Sequence, residues 1–313
     1  MPRLKRWALI LGAAAAVAPA HAASSARLAL QRQAVQVLIL RADADSLAAA
    51  AALSFKQATS PSALELAVSA GELRPQSPVI GWLHLQLCVE TPPCDFRDVA
   101  TVLRWVDADN GASWLPILAS AYKDRDWTEV DRVIADMAQA KRFDLYWNPL
   151  VVLLADALYK ARGDLPRGLA GSDAERLDIA GEIAGEFVPS FGSLLESCRS
   201  AAAGTERRDA CLKLSRIMQH GDAIAAQMAG FGIEKRLVAA DSREGRAMNE
   251  RRHALEWRVA SAARADSAVL PWLRNARARK RLAQMRANAR QEDVDVAILR
   301  EHKVALEPTE THP

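Results

Sequence analysis

Histidines and closely spaced carboxylates are the residues of this sequence that come nearest to a catalytic pattern. Five histidines follow residue 22, and none stands at metal-ligand spacing or beside a nucleophile motif: His84, His220, His253, His302 and His312. Glu182 and Glu186 are four residues apart, so a helix would place both carboxylates on one face, where acid–base chemistry also requires a cleft. The sequence has no GxSxG, Walker or GxGxxG motif. We therefore expect no cofactor and no bound metal ion.

The cysteines fall into two local pairs, Cys88 with Cys94 and Cys198 with Cys211. Neither pair has the CxxC spacing of a zinc site, and no histidine stands at ligand spacing near the second pair. More than one connectivity is possible, and the short separations favour a bond within each pair. We predict two disulfides, each closing the turn of a helix hairpin, which requires an oxidising compartment.

The first 22 residues are typical of a secretory signal. Three basic residues precede an apolar segment at 7–17, and Ala20-His21-Ala22 offers the small residues that a signal peptidase recognises. The apolar segment is too short to cross a membrane, which takes roughly 20 residues. We predict export to the periplasm or beyond, with cleavage near Ala22 and no transmembrane span afterwards.

Composition and charge narrow both the fold class and the kinds of partner that we expect. The chain has a net charge of +3, and the three basic residues of the signal supply all of it, so nucleic-acid binding is not expected. Half of the residues are hydrophobic and only 5% are aromatic, which suits close helix packing. Apolar residues recur at helical spacing and almost never alternate, which indicates an all-α fold. Residues 294–306 are the one segment that fits either a strand or a short helix.

Residues 114–138 have the pattern of two short amphipathic helices joined by a tight turn. Apolar residues recur at helical spacing from Trp114 through Ala121, and the sequence KDRD then interrupts them. They resume at Trp127 and continue to Ala138. A hairpin of this size cannot bury both of its faces alone, so the pattern predicts neighbouring hairpins.

This stretch resembles a tetratricopeptide repeat. Trp114 takes the aromatic position of the family signature, Ile117 the leucine position, and Asp126-Trp127 the start of the second helix. The preceding unit, Ser77 to Asn110, fits the family period of 34 residues, and its last four residues, DADN, match the family's junction with alanine in place of proline. The likeness extends over about 110 residues, to roughly residue 185. The whole chain is also similar to exported helical proteins of Gram-negative bacteria, which implies no activity.

The resemblance implies an array of antiparallel helix hairpins, a tetratricopeptide-like solenoid, over residues 23–188. A C-terminal region of longer helices, ending in a short irregular tail, is expected at 189–313. In this family a concave groove, lined by junction residues and by the first helix of each unit, holds a protein or peptide. The corresponding residues here are Asp109, Asn110, Tyr122, Lys123 and Lys160. We therefore expect an exported scaffold that binds an envelope protein or peptide, without catalysis.

Two alternatives stay open. The first is an envelope hydrolase with an unrecognised site, which would require Glu182 or Glu186 to meet a histidine in a cleft. The second is attachment to an acidic or membrane surface through 274–290, which has seven basic residues and no acidic one. Arginines that border an apolar stripe, here Leu282 and Met285, more often lay their stems over the core and keep their charged ends in water.

Overall fold

The computed structural model describes residues 28–57, 59–165, 171–201, 204–267 and 271–308. Within these ranges the protein is all-α, with 15 α-helices and no strand. The predicted signal at 1–22 lies outside the described residues. No described helix is both long enough and apolar enough to cross a membrane.

The helices follow one another with short connections. They are α1 (28–41), α2 (Ala44–Leu53), α3 (Ala63–Leu73), α4 (Pro78–Glu90), α5 (Phe96–Val106), α6 (Leu115–Asp124), α7 (Trp127–Met137), α8 (Trp147–Ala161), α9 (Asp173–Gly185), α10 (Gly192–Arg199), α11 (Glu206–Met218), α12 (Ile224–Leu237), α13 (Arg243–Ser267), α14 (Arg274–Ala287) and α15 (Gln291–Glu301). Two short 3-10 helices, Gly111–Trp114 and Pro271–Leu273, precede α6 and α14.

Local chemistry explains where several of these helices begin. Ser62 and Ser172 each start a helix with a capping box, in which the serine hydroxyl accepts from a backbone N–H and a glutamate three residues later accepts in return. Asp126 caps α7, so the second helix of the predicted hairpin begins at Trp127 as expected. The ambiguous segment at 294–306 begins inside α15, because Val294, Ile298 and Leu299 bury a helical stripe.

Two large hydrophobic cores hold the helices together. The first joins α1–α4 with α8 and α9, and the second joins α4–α7 with α10–α12. Helix α4 serves both, since Ile80 and Leu83 lie in the first core while Trp82 and Leu85 lie in the second. The second core includes residues on both sides of position 188, so α10–α12 are not packed apart from the predicted repeat region.

The order of helix contacts differs from that of an open array, in which each hairpin meets only its neighbours. Contacts run from α2 through α7 in chain order, then pass to α11, α12, α13, α15 and α14. Helix α14 packs on α8 and α9, and α8 packs on α2. The chain of contacts therefore returns to its starting point, and the predicted solenoid arrangement is not confirmed.

Helix α14 makes the contact that completes this circuit. Its side chains Leu282 and Met285 pack against the first core. Arg279 forms an ion pair with Asp173 of α9 at 2.5 Å, and Arg286 pairs with Asp156 of α8. The basic helix is thus attached to the α8–α9 hairpin by apolar contacts along one stripe and by ion pairs at its margins.

The two predicted disulfides are confirmed. Cys88 is bonded to Cys94 across the turn between α4 and α5, with the Cα atoms 5.2 Å apart. Cys198 is bonded to Cys211 and joins α10 to α11, with the Cα atoms 5.7 Å apart. Each bond therefore fixes a local hairpin rather than two distant parts of the chain.

Candidate functional site

The junction at residues 107–110 lies at the centre of a buried polar network. Asn110 is only 2% exposed. Its side-chain amide donates to the backbone oxygen of Asp144 at 2.9 Å and to the hydroxyl of Tyr146 at 3.0 Å. Its side-chain oxygen accepts from the backbone N–H groups of Ala112 and Asp144. All the hydrogen-bonding capacity of this amide is therefore used inside the protein.

Asp107 continues the network on the other side of Tyr146. Its carboxylate accepts from the Tyr146 hydroxyl and from the guanidinium of Arg142, which also pairs with Asp144. Burial raises the pKa of Tyr146, so its hydroxyl stays a hydrogen-bond donor. These bonds tie the end of α5 to the segment that leads into α8.

Asp222 joins three connecting segments at one point. This residue is 3% exposed, and its carboxylate accepts from the backbone N–H groups of Leu145 at 2.6 Å and Trp147 at 3.0 Å. Its backbone oxygen accepts from the N–H of Gln291 at 2.7 Å. The starts of α8, α12 and α15 therefore meet around one carboxylate. Burial, assisted by the charge of Asp144, raises the pKa of Asp222 to about 7.

A raised pKa such as that of Asp222 is common among active-site carboxylates, but this residue is buried rather than set in a cleft. In the described part of the chain, the cavities of 500–890 Å³ are lined by other residues. The side-chain oxygens of Asp107, Asn110 and Asp222 accept hydrogen bonds from within the protein. The arrangement can hold segments of the chain together, and Asp222 itself is only 3% exposed.

The five residues predicted to bind a partner differ in exposure and in the contacts that they make. Asn110 was wrongly assigned to that surface: it is buried, because its polar amide bonds the junction to the next segment. Asp109 is exposed and pairs with Lys141 at 3.0 Å. Tyr122 is half-buried, edge-to-face against Trp127, with ring centroids 5.7 Å apart.

The remaining two residues, Lys123 and Lys160, are exposed at the ends of α6 and α8. In the tetratricopeptide interpretation those two helices would be the first helices of their units, and each is packed against another part of the chain. Helix α10 lies on α6, and α14 lies on α8. The face that the resemblance assigns to a peptide is thus partly covered by the protein's own helices.

The carboxylates proposed for a hydrolase do not converge with a histidine among the described residues. Glu182 and Glu186 are both exposed, and Glu186 pairs with Lys56. His220 and His253 are exposed, and burial lowers the pKa of half-buried His84. His312 lies outside the described residues. Within the described ranges, no group of histidine, cysteine and acidic side chains could hold a metal ion.

The basic segment 274–290 is largely neutralised within the protein. Six of its seven basic residues form ion pairs with acidic residues of α8, α9, α13 and α15: Arg277 with Asp266, Arg279 with Asp173, Lys280 with Glu301, Arg281 with Asp266 and Glu301, Arg286 with Asp156, and Arg290 with Glu292. Charges that are already paired offer little attraction to an anionic surface. The segment therefore fits the interpretation in which its arginines cover the core.

A second carboxylate with a raised pKa, the half-buried Asp295, lies beside this helix. Asp295 of α15 faces Glu292, Arg281, Asp266 and Arg258, and its pKa is raised to about 7, mainly by burial and then by the charge of Glu292. The folded protein therefore retains a proton on Asp295 at pH values where the unfolded chain has lost it.

Replacing Asp295 by asparagine will make the protein more stable at pH 8 but not at pH 4. The folded pKa of about 7 lies above the ordinary value of 3.8, so the wild-type protein loses stability as pH rises through this window. Asparagine resembles the protonated acid and removes this loss, which we expect to be about 1–2 kcal/mol. Urea denaturation of both proteins at several pH values measures the difference. An equal difference at pH 4 and pH 8 would contradict the prediction.

The outer face of α5 exposes large apolar side chains. Trp105 is 84% exposed and Val102 is 62% exposed, one helical turn apart. On the opposite face Ala100 and Leu103 are buried in the second core. Trp105 was not among the predicted binding residues, although its helical spacing from Ala100 and Leu103 places it on the outer side.

Comparison with known proteins assigns no family to these features. No family model matches the chain, and no curated protein or solved structure is significantly similar to it.

Proposed function

We propose that this protein is an exported helical scaffold that binds a protein or peptide partner in the cell envelope through the outer face of α5. The α4–α5 and α6–α7 hairpins are proposed to be tetratricopeptide-like units. Two disulfides support an oxidising compartment. The binding face differs from the family groove, because α10 and α14 lie on the first helices that would line that groove.

The single observation behind this proposal is the exposure of Trp105. Tryptophan is among the residue types that contribute most to protein interfaces. Burying this ring would stabilise a complex by on the order of 3 kcal/mol. Val102 lies beside it, and the disulfide at the start of α5 together with buried Leu103 holds the helix in place. A partner would therefore meet a preformed apolar surface at little cost in ordering.

Photo-crosslinking in the native envelope tests the proposal. A photoreactive amino acid at exposed Thr101, on the same face, should form an adduct with a partner in the wild-type background. The adduct should disappear when Trp105 and Val102 are both replaced by alanine. Because these side chains are exposed, circular dichroism should show an unchanged fold.

A matched control comes from a second exposed apolar pair. Trp272 is 74% exposed and is followed by Leu273, which is also exposed. Replacing both by alanine removes similar side chains from a different helix and should leave the adduct intact. If the Trp105→Ala/Val102→Ala protein gives the same adduct in the same yield, the proposed binding face is wrong.

A further inference from the structure

We propose that the partner presents a basic segment, in which one apolar side chain packs on Trp105 and a lysine or arginine about 10 Å away pairs with Asp98. This inference rests on the proposed function and specifies the chemistry of the partner. It follows from the charges that share the outer face of α5 with the exposed ring.

The outer face of α5 is acidic at one end and apolar at the other. At helical spacing, Asp95, Asp98, Val102 and Trp105 lie on one side of the helix. Asp95 and Asp98 are both exposed, and so is Glu90 at the end of α4, next to the disulfide turn. Within the described residues, neither Asp98 nor Glu90 forms an ion pair. Their charges are therefore available to a partner.

The two arginines of α5 do not neutralise this face, because both are directed elsewhere. Arg97 pairs with Glu129 of α7 at 3.6 Å. The guanidinium of Arg104 lies over the ring of Trp114, 4.0 Å from its centroid, and donates to the hydroxyl of Thr101 at 2.8 Å. Both arginines thus contact neighbouring elements, and the carboxylates on the outer face keep their negative charge.

Charge complementarity excludes the simplest other occupants of the face. Two copies of the protein meeting through parallel α5 helices would bring the same carboxylates together, and antiparallel helices would place each carboxylate opposite apolar side chains without a cation; both arrangements are unfavourable. An anionic lipid surface would be repelled in the same way. Helix α14 of a second copy is a poor ligand, because all but one of its basic side chains are already paired within their own chain. A separate polypeptide with exposed basic residues fits best.

An array of synthetic helical peptides tests the inference. Each peptide has one leucine or tryptophan, and the position seven residues away on the same face is varied among lysine, arginine, alanine and glutamate. The wild-type protein should select lysine and arginine over alanine and glutamate, and added salt should weaken the selection. Replacing Asp98 by lysine should lower affinity for the basic peptides about tenfold and transfer the preference to glutamate.

Two further variants separate failure of this inference from failure of the proposed function. Asp178→Lys introduces the same change at an exposed aspartate of α9 and should leave the peptide preference unchanged. Trp105→Ala should abolish binding of all the peptides. If binding depends on Trp105 but shows no preference for charge, the basic partner is wrong and the binding face stands. If no peptide binds in a manner that depends on Trp105, both are wrong.

Discussion

Replacing Asp222 by alanine will lower the free energy of unfolding by about 3 kcal/mol at pH 5, because it leaves buried backbone N–H groups without an acceptor. The side chain accepts from Leu145 and Trp147 and is only 3% exposed, so its removal leaves two buried N–H groups without their acceptor in the protein. The segment at 145–147 begins α8, which belongs to the first core, while Asp222 precedes α12 of the second core. Loss of this carboxylate therefore weakens the attachment between the two cores.

The pH dependence of this loss distinguishes Asp222 from an ordinary buried acceptor. Its folded pKa of about 7 exceeds the ordinary value of 3.8, so the wild-type protein becomes less stable as pH rises between these values. Alanine cannot ionise and has no such dependence. The two stability curves should therefore approach each other as pH rises from about 4 to about 7, and the loss in the variant should be smaller at pH 8 than at pH 5.

Urea denaturation followed by circular dichroism at the two pH values measures this effect. Asp222→Asn keeps a side-chain oxygen acceptor, so we expect it to retain part of the stability that alanine loses. Asp178→Ala, at an exposed position of α9, should change stability by less than about 0.5 kcal/mol. The prediction is wrong if Asp222→Ala lowers the free energy of unfolding by no more than Asp178→Ala does, or if its loss grows from pH 5 to pH 8. Either result would show that Asp222 does not hold the segment at 145–147.

Replacing Gly230 by alanine will lower the free energy of unfolding by about 3 kcal/mol. A Cβ atom at this position of α12 would lie 2.7 Å from the backbone oxygen of Ser215 and 2.9 Å from the Cβ of Met218, both on α11. Neither atom is at the end of a flexible side chain, so the two helices must separate to admit the methyl group. The second core lies between these helices and would lose packing as they move apart.

The same helix offers a matched control. At Gly232 a Cβ atom would meet only the end of the Leu195 side chain, at 3.5 Å, which is an ordinary contact. Alanine favours a helix over glycine by about 1 kcal/mol, so Gly232→Ala should leave stability unchanged or raise it. Thermal and urea denaturation of the two variants should therefore differ clearly. Equal stabilities would mean that α11 and α12 do not approach each other as closely as described.

The features that could be predicted from the sequence are those decided by nearby residues. The position of α7 was predicted from helical spacing from Trp127 onwards and from the family position that Asp126-Trp127 matches. The short separation of Cys198 and Cys211 gave their pairing. Periodicity, capping and short loops act over a few residues, so a single sequence contains the information needed to recognise them.

The features that could not be predicted depend on distant partners. Asn110 was expected in a binding groove because it matches a junction residue of the tetratricopeptide family, whereas its amide is hydrogen-bonded inside the protein to Asp144 and Tyr146. The positive charge of 274–290 left attachment to an acidic surface open as an alternative, because the acids that neutralise Arg279 and Arg286 lie more than 100 residues earlier in the chain. Asp222 stands in a short connection with no motif, and its role depends on two other connections.

The closure of the helix contacts by α14 also determines how the length of this protein can change. In an open array a hairpin can be duplicated or deleted with little effect on the others, because each unit meets only its neighbours. Here α14 must reach α8 and α9 on one side and α15 on the other. An extra hairpin between α2 and α7 would move these surfaces apart, and a missing one would bring them into collision. The number of hairpins is therefore fixed by the need to close, as the number of strands is in a barrel.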